Sequence, residues 1–274
     1  MSQILVSRQP AMCLILVALD VLPQRPLLLL GNRDEFHGRA SAAAAPWAED
    51  ARVAGGRDLV AGGSWLAARS DGRFAAVTNV RSGIPATAPR SRGALVRDFV
   101  LGSALPEDHL AQIHAVIDQY GPFNLVVGQA GAAWLLSSTG GEPRRLAPGV
   151  HAISNGAPGV VWPKTTRLAQ GFAAWSSARA HDETAALDLL LDRSHPQDAA
   201  LPDTGVGIEL ERLLAPVFVQ GAHYGTRASS LLTCSDAGVV RLRERRFGPN
   251  GIAQGEACWQ AVRDAAFGAC QTTA

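Results

Sequence analysis

Two apolar runs near the start of the chain place the tightest constraint on its fold. The first covers residues 11–22 and the second covers residues 27–30, and the turn between them is bounded by Pro23 and Pro26. Such runs are typical of β-strands, and the turn predicts that they form a hairpin. Because both runs are almost continuously apolar, without alternating polar residues, we expect both strands to be buried on both faces.

The rest of the chain groups strands and helices without strict alternation. Patterns typical of strands occur at residues 53–79, 123–137, 149–153 and 229–244, and patterns typical of helices at residues 91–101, 106–120, 164–178 and 182–191. This order favours an α+β fold in one domain, with largely antiparallel sheets and helices on their outer faces. Residues 38–52 are rich in alanine and predict a surface loop, and residues 248–274 have no clear pattern.

The composition excludes several classes of protein. Of the 274 residues, 47% are hydrophobic and 18% are charged, which supports a large core and excludes a disordered chain. The formal net charge of +1 gives no reason to expect a nucleic-acid partner. No run reaches the ~20 apolar residues that span a membrane. Asp20 interrupts the first apolar run, which otherwise resembles the core of a signal peptide.

The cysteines predict a reducing compartment. They lie at positions 13, 234, 258 and 270, form no C-x-x-C motif and match no zinc-binding spacing. So few cysteines in a chain of this length argue against a disulfide scaffold and favour a cytoplasmic location. We expect Cys258 and Cys270 to be structural or inert.

Cys13 is the first candidate for chemistry, because Met12 comes directly before it. Translation could begin at Met12, and removal of that methionine would leave Cys13 with a free α-amine. Residues 1–12 would then be an extension absent from the mature protein. An α-amine has a pKa of about 7.7–8.0 and a thiol one of about 8.5, so one residue would carry both a nucleophile and its base. The alternative is that Cys13 is a buried apolar residue, as most free cysteines are.

A polar cluster, Asn32-Arg33-Asp34-Glu35, ends the second strand of the predicted hairpin. Adjacent antiparallel strands lie about 5 Å apart, so this cluster can approach Cys13. An arginine near a thiol favours the thiolate, and an aspartate can hold an α-amine. The alternative interpretation is a cluster of salt bridges on the surface.

Three further polar segments occur at the ends of predicted strands. They are Thr78-Asn79-Val80-Arg81, Ser154-Asn155-Gly156 and Tyr224-Gly225-Thr226-Arg227. Asparagine amides and backbone N–H groups in such turns can donate hydrogen bonds to an oxyanion. Each segment alone is equally well explained as a turn.

Together these segments resemble the NRDE family, the group that includes the transport-and-Golgi-organisation proteins. The resemblance extends from Met12 to about residue 245. The segments that carry it are Met12-Cys13-Leu14-Ile15, Asn32-Arg33-Asp34-Glu35, Gly62-Gly63-Ser64-Trp65-Leu66, Thr78-Asn79-Val80-Arg81, Ser91-Arg92-Gly93, Phe123-Asn124-Leu125, Ser154-Asn155-Gly156, Trp162-Pro163-Lys164 and Tyr224-Gly225-Thr226-Arg227.

The resemblance implies a four-layer αββα sandwich of the N-terminal-nucleophile hydrolase type, formed by residues 13–274 as one domain. The catalytic roles that it implies are Cys13 as nucleophile, Arg33 and Asp34 around its thiol and amine, Asn155 in an oxyanion hole and Arg227 as a second positive group near the thiolate. We expect Asn32, Asn79 and Trp65 to contact the substrate, with Asn79 assisting the oxyanion hole. The more distantly similar cysteine amidases separate their arginine and aspartate by two residues. Here the two are adjacent, so which of them faces the cleft is open.

Two functions follow. The first is hydrolysis of a non-peptide C–N amide bond in a small molecule, with Cys13 as nucleophile and no cofactor or metal required. The second is a non-catalytic carrier that holds haem in the same cleft, because some members of the family are associated with haem trafficking. His37 and His223 are conceivable axial ligands, although most histidines at such places are plain polar residues. A scaffold with a vestigial cleft is the least favoured interpretation. The expected partners are small molecules, and the oligomeric state is open.

Overall fold

The structure is a computed structural model that describes residues 12–81, 88–129, 131–178 and 182–270. Apart from Met12, the extension expected at residues 1–12 lies outside the described residues.

Two antiparallel sheets of seven strands each form the centre of the protein. In spatial order, the first sheet contains β10 (Gly149–Ile153), β1 (Met12–Leu22), β2 (Arg25–Phe36), β11 (Tyr224–Cys234), β12 (Val239–Phe247), β13 (Ala253–Val262) and β14 (Gly268–Ala269). The second sheet contains β3 (Ser41–Pro46), β4 (Val53–Asp58), β5 (Leu66–Arg69), β6 (Phe74–Asn79), β7 (Phe123–Gln129), β8 (Ala132–Ser137) and β9 (Arg144–Arg145).

Helices cover the outer faces of both sheets. The second sheet is covered by α1 (Arg92–Leu101) and α2 (Pro106–His114), and the first by α3 (Pro163–Ser176) and α4 (Glu183–Asp188). A shorter helix, α5 (Ile208–Leu214), packs beside the end of the first sheet. The α1 helix begins after Ser91, whose hydroxyl accepts a hydrogen bond from the Gly93 N–H, as serine does at helix N-caps. Proline occupies the first turn of α2 and α3, where its missing N–H is harmless.

Three apolar clusters define the layers. One lies between the two sheets, one between the second sheet and its helices, and one between the first sheet and its helices. The cluster between the sheets contains Ile15 and Phe74. The cluster under the helices of the second sheet contains Val127 and Phe99, and the cluster under the helices of the first sheet contains Leu30 and Phe172. The protein is therefore an α+β fold with four layers in the order αββα, which confirms the predicted fold class.

The β1–β2 hairpin is buried on both faces, as its sequence predicts. Leu27 and Leu29 belong to the core between the sheets, whereas Leu28 and Leu30 belong to the core under α3 and α4. Successive side chains of a strand point to opposite faces, so a continuous apolar run serves both cores. Burial of each leucine is worth about 1.5–3 kcal/mol. The hairpin is therefore a main source of stability, and its rigid framework carries the residues that follow Leu30.

The structure differs from the sequence-based expectations at two chain segments. Residues 38–52 are not only a surface loop, because Ser41–Pro46 forms β3 and pairs with β4. Alanine has a low β-propensity, so pairing with β4 rather than local preference decides this strand. Residues 248–274, which show no clear pattern, contain β13 (Ala253–Val262), and this strand joins the first sheet by pairing along β12.

Cys258 and Cys270 form a disulfide that joins β13 to the residue after β14. This bond was not expected, and it is at odds with a reducing compartment, in which disulfides are rare. Cys13 and Cys234 are free and buried. Within the described ranges, no helix is both long enough and apolar enough to cross a membrane.

Candidate active site

A cleft of about 240 Å³ lies between the two sheets, beside the start of β1. Five of the eight predicted site residues line it, namely Cys13, Arg33, Trp65, Asn79 and Arg227. The Trp65 ring closes one wall, and it packs so tightly on Gly31 that a Cβ there would come within 3.2 Å of the ring. The other three predicted site residues do not line the cleft; they are Asp34, Asn155 and Asn32.

Cys13 and Arg33 are direct partners across the β1–β2 hairpin. Cys13 belongs to the core between the sheets, so both side chains face the second sheet. Glu35 follows two residues later on the same face, and its Oε2 lies 3.6 Å from Arg33 Nη2. The structure thus brings Arg33 and Glu35 of the polar cluster into the cleft with the thiol. It also answers the open question, because Arg33, and not Asp34, faces the cleft.

Asn32 and Asp34 point to the opposite face of β2, towards the helices. Asn32 Nδ2 donates to the carbonyls of Leu190 and Val217, both at 2.8 Å. Asp34 Oδ1 accepts from Thr226 Oγ1 at 2.6 Å. The structure does not place Asn32 in the cleft, because the two-residue period of a strand separates it from Arg33. Its hydrogen bonds attach the helical layer to the first sheet instead.

Asp34 stays close to Cys13 through the backbone. Its N–H hydrogen-bonds the Cys13 sulfur, and its pairing partner in the hairpin is Met12. Asp34 therefore lies next to the peptide bond that joins Met12 to Cys13. Its Oδ2 is buried and has no hydrogen-bond partner among the described residues. A buried acceptor without a hydrogen bond destabilises the folded state by about 1–3 kcal/mol, so a hydrogen-bond donor next to this oxygen would be stabilising.

The thiol of Cys13 is neutral in the chain that carries residue 12. Burial raises its pKa to about 12, and the negative charges of Asp34 and Glu35 raise it as well. Arg33 and the Asp34 N–H lower the pKa without compensating for burial. A nearby base is therefore required to activate the thiol near neutral pH.

A chain of three side chains fixes the orientation of Asn79. Lys164 Nζ, which can only donate, lies 3.3 Å from Asn155 Oδ1. The Asn155 Nδ2 therefore faces Asn79 and donates to its backbone oxygen at 3.0 Å and its Oδ1 at 3.1 Å. Asn79 Nδ2 is left buried and unpartnered among the described residues, in the cleft wall. Asn79 thus offers an unpartnered amide donor to the cleft, and Asn155 supports it from behind.

Lys164 and Asp34 are opposite charges in the layer behind the cleft. Lys164 is the only lysine of the sequence, lies on α3 and is 2% exposed. Burial lowers its pKa to about 8, and the charge of Asp34 opposes this shift. Burial raises the pKa of Asp34 to about 6, and Lys164 opposes that shift in turn. Each of the two groups therefore stabilises the charged form of the other.

A β-bulge brings Arg227 into the cleft. The register between β11 and β2 shifts between Thr226 and Ala228, so residue 227 is the extra residue of the bulge. Arg227 and Ala228 consequently both face the cleft. Arg227 Nη1 donates to the carbonyls of Phe36, at 3.1 Å, and Arg39, which holds the side chain in place.

The residues of the cleft and its support that sequence reasoning missed include Arg92, Lys164, Glu244 and Arg246. Signals for them existed. Arg92 and Lys164 belong to segments that carried the family resemblance. In β12, Val240 and Leu242 face the core, so the period of two places Glu244 and Arg246 on that same face.

A metal site and haem ligation by histidine both depend on the positions of the ligand side chains among the described residues. No three His, Cys, Asp or Glu side chains of the described ranges are grouped so as to hold a metal ion. His37 and His223 do not line the cleft. One ring nitrogen of His37, Nε2, lies 3.2 Å from the Gly221 carbonyl oxygen, and His223 is exposed.

The two antiparallel sheets and their helical layers define the protein as a four-layer αββα sandwich. A thiol and several arginines line the cleft between its sheets. The chain belongs to the Transport and Golgi organisation 2 family, whose sequence model matches residues 12–249. This agrees with the family indicated by the motifs.

Comparison with known proteins gives relatives at moderate identity. The chain is 28% identical over 260 residues to the Transport and Golgi organization 2 homolog of Mus musculus, covering 85% of this chain and 92% of that one. It is 29% identical over 255 residues to the human homolog (Homo sapiens), with the same coverage. The Drosophila melanogaster protein is 34% identical over 136 residues, which cover 44% of this chain and 47% of that one.

Among solved structures, the chain is similar to the Caenorhabditis elegans N-acylethanolamine-hydrolyzing acid amidase ortholog. The TM-score is 0.45 and the identity 10%, over 80% of this chain and 92% of that chain.

Proposed function

We propose that the protein is a cysteine hydrolase that cleaves a non-peptide C–N amide bond of a small molecule, with Cys13 as the first residue of the mature chain. The observation that carries the proposal is that the Cys13 thiol and the unpartnered amide of Asn79 share one cleft. A nucleophile and an oxyanion donor are the two groups that acyl transfer needs. Arg33, opposite Cys13, supplies the positive charge that favours a thiolate. The family match begins at Met12, which supports a start at this point.

The reaction has two halves. In the first, the α-amine of Cys13 accepts the thiol proton, and the thiolate attacks the amide carbonyl. The C–N bond breaks, the α-ammonium gives its proton to the leaving amine, and Cys13 carries the acyl group as a thioester. In the second, the amine takes a proton from water, the resulting hydroxide attacks the thioester, and the acid leaves as the thiol is restored. Asn79 Nδ2 donates to the oxyanion in both halves.

Asp34 would hold the α-amine. Removal of residue 12 converts the peptide nitrogen of Cys13 into an amine beside Asp34, whose Oδ2 has no other donor among the described residues. The protonated amine would also lower the pKa of the thiol from about 12, its value with residue 12 in place, because a nearby positive charge favours the thiolate. The free amine is therefore essential to the proposal.

The first experiment determines the mature N-terminus and links it to activity. Protein is produced from the native gene, and intact mass spectrometry shows whether Cys13 is the first residue. A second form keeps residues 1–12 and carries a protease site directly before Cys13, so that cleavage in vitro frees the amine. We expect hydrolysis of a library of small amides by the processed form alone, and none by Cys13→Ala.

Cys234→Ala is the matched control, because Cys234 is the other free, buried cysteine and lies outside the cleft. This variant should retain the turnover of the processed protein. Equal turnover by Cys13→Ala, or full turnover with residue 12 still attached, would contradict the proposal.

A haem carrier that uses the same cleft is the alternative. It is favoured by the presence of a cysteine among arginines, because thiolates ligate haem iron and guanidinium groups pair with carboxylates. A volume of about 240 Å³ lies below the range of about 300–1,000 Å³ for pockets of drug-sized ligands, which favours a smaller amide. A saturable Soret shift at one haem per chain, lost in Cys13→Ala, would support the carrier. No shift at micromolar protein would remove it.

A cytoplasmic location and small-molecule partners belong to the same proposal. The Cys258–Cys270 pair provides the test of location. Free thiols are alkylated in intact cells before lysis, and the modified fraction is measured by mass spectrometry. A reduced pair supports the cytoplasm, whereas an oxidised pair contradicts it, because cytosolic thiols are kept reduced.

A further inference from the structure

The charge of the cleft differs strongly from that of the whole chain, whose formal net charge is +1. The arginines that line the cleft are Arg33, Arg39, Arg57, Arg90, Arg92, Arg227 and Arg246, and the carboxylates are Glu35, Asp58 and Glu244. Seven arginines against three carboxylates leave an excess of four positive charges in the lining. Charges of one sign in a cleft with low-dielectric walls concentrate ligands of the opposite sign.

The carboxylates of the cleft are already engaged. Glu35 lies between Arg33, at 3.6 Å, and Arg39, at 3.5 Å. Asp58 is bound by Arg39 at 2.7 Å. Glu244 accepts a backbone N–H, and burial raises its pKa, so it is a weak source of negative charge. These three groups cannot neutralise the remaining arginines.

Three arginines of the lining, Arg92, Arg227 and Arg246, take part in no ion pair within the described residues. Each is instead anchored to backbone carbonyls, Arg92 at Pro122 (3.0 Å), Arg227 at Phe36 (3.1 Å) and Arg246 at Ser41 (3.2 Å). A guanidinium group has five N–H donors, so most of each group is available to a ligand. The Nε of Arg227 is buried and unpartnered.

The arginines are close enough to repel one another. Burial lowers the pKa of Arg227, and the charges of Arg33 and Arg246 lower it further. Burial lowers the pKa of Arg92 too, and the Cys13 sulfur is among the groups that oppose this shift. Arg92 therefore lies within electrostatic reach of the nucleophile. Unpaired, mutually repelling cations destabilise the folded state, and a bound anion would relieve that repulsion.

Three different elements direct these arginines to one place. The bulge of β11 directs Arg227, the alternation of β12 directs Arg246, and Arg92 is the first residue of α1. Such convergence of anchored guanidinium groups matches the planar, bidentate geometry by which arginine binds carboxylates and phosphates.

We propose that the cleft binds an anionic substrate, an amide with a carboxylate or phosphate group that Arg92, Arg227 and Arg246 hold next to the thiol. That the ligand is an amide rests on the proposed hydrolase function, whereas the anion site does not depend on turnover.

Binding to the Cys13→Ala protein tests the anion site, because this variant cannot turn the ligand over. Calorimetry compares N-hexanoylglycine with N-hexanoylglycinamide, which differ at one end by a negative charge. We expect the carboxylate to bind about 10-fold or more tightly, since charge-assisted hydrogen bonds are worth roughly twice neutral ones. The difference should shrink between about 0.05 M and about 0.5 M salt, because salt screens charges. Equal affinities for the two probes would overturn the proposal.

Variants then assign the site. Arg92→Met and Arg246→Met, each combined with Cys13→Ala, should reduce the preference for the carboxylate. Arg52→Met is the matched control, because Arg52 is exposed and lies outside the cleft. A preference that survives the double variant Arg92→Met/Arg246→Met would place the anion elsewhere and overturn the proposal.

The source of the anion is distinguished by two further probes, N-hexyl succinamate and the hexanoyl amide of phosphoethanolamine. The first probe carries its carboxylate on the acyl side of the amide, and the second carries a phosphate in place of the carboxylate. The probe whose affinity exceeds that of its neutral analogue by the largest factor identifies the anionic group that the cleft binds. Turnover by the processed protein is read separately. If the anionic probes bind but are not hydrolysed, only the proposed hydrolase function is contradicted. If charged and neutral amides are hydrolysed equally fast, only the proposal of an anionic substrate is contradicted.

Discussion

Neighbouring residues of β2 have different environments because the strand alternates its faces. Arg33 faces the cleft beside the thiol, whereas Asp34 faces the layer that contains Lys164. Asp34 still influences Cys13, because its N–H reaches the sulfur and its backbone pairs with Met12, the residue before Cys13. One guanidinium in front of the thiol and one carboxylate behind it support the proposal that Cys13 acts as a nucleophile with its own amine.

If the protein hydrolyses amides as proposed, Asp34 should set the pH dependence of the reaction. Its pKa is raised from 3.8 to about 6 by burial, so the carboxylate is ionised above about pH 6 and neutral below it. Only the ionised form holds the α-ammonium, and this positive charge lowers the pKa of Asp34 in the processed chain. We therefore expect kcat/KM to fall at a pH below about 6. Asp34→Asn should lower activity and remove this acidic limb. Asp20→Asn, which alters an exposed carboxylate of the same hairpin, should keep it, and an unchanged limb in Asp34→Asn would refute the assignment.

The role of Asn79 is tested by a pair of asparagine variants. Asn79→Ala should lower kcat about 10²–10³-fold with little change in KM, because its donor acts on the oxyanion. Asn124→Ala should lower the melting temperature and leave kcat unchanged, since the Asn124 amide is used up on the carbonyls of Ser154 and Gly156. Steady-state kinetics and thermal denaturation separate the two effects. Similar kcat losses in both variants would show that Asn79 acts only in folding.

At the scale of elements, local irregularities direct side chains into the cleft. The bulge in β11 gives Arg227 its direction, and a close contact between glycines holds the start of α1 against the turn before β5. A Cβ at Gly63 would lie 2.3 Å from the carbonyl carbon of Gly93. This contact brings Ser91, Arg92 and Gly93 to the edge of the cleft.

Gly63→Ala should therefore displace α1. We expect a loss of about 1–3 kcal/mol in the free energy of unfolding, the usual effect of overpacking, measured by urea denaturation. Gly38→Ala is the matched control, because a Cβ at Gly38 meets nothing within 4 Å, and it should stay within about 0.5 kcal/mol of the unchanged protein. Equal midpoints for the two variants would mean that the glycine contact is not tight.

At the scale of the whole molecule, the four layers explain why the hairpin can be so apolar. Leu29 and Leu30 are adjacent and both are 0% exposed, but they face different cores. The same layering separates two groups of charges. The cleft between the sheets has an excess of arginine, whereas Asp34 and Lys164 balance each other in the layer behind.

Leu29→Ala and Leu30→Ala should destabilise the protein to a similar extent. Each removes a fully buried side chain from a separate core, so we expect a loss of about 2–5 kcal/mol for either variant. Leu105→Ala, at a position that is 59% exposed, should change the free energy of unfolding by about 0.5 kcal/mol or less. Chemical denaturation measures all three. A small effect for one of the two buried leucines would show that one outer face of the hairpin is poorly covered.

Much of the fold was accessible from local patterns. The continuous apolar runs predicted a hairpin buried on both faces, and the grouping of strands and helices predicted antiparallel sheets with helices outside. The strand at Ser41–Pro46 and the disulfide between Cys258 and Cys270 were not accessible. Pairing with β4 decides the former, and the approach of β13 and β14 at the sheet edge decides the latter.

The amino-acid sequence by itself determined the hairpin, most of the order of elements, the family and the group of residues near Cys13, because these depend on apolar periodicity and on motifs within short stretches of chain. Only the tertiary structure decided that Arg33 faces the thiol, that Asn79 rather than Asn155 offers the free amide, and that arginines from separate elements crowd one cleft. The physical reason is that side-chain direction follows from register, bulges and layer packing, which join residues far apart in the chain.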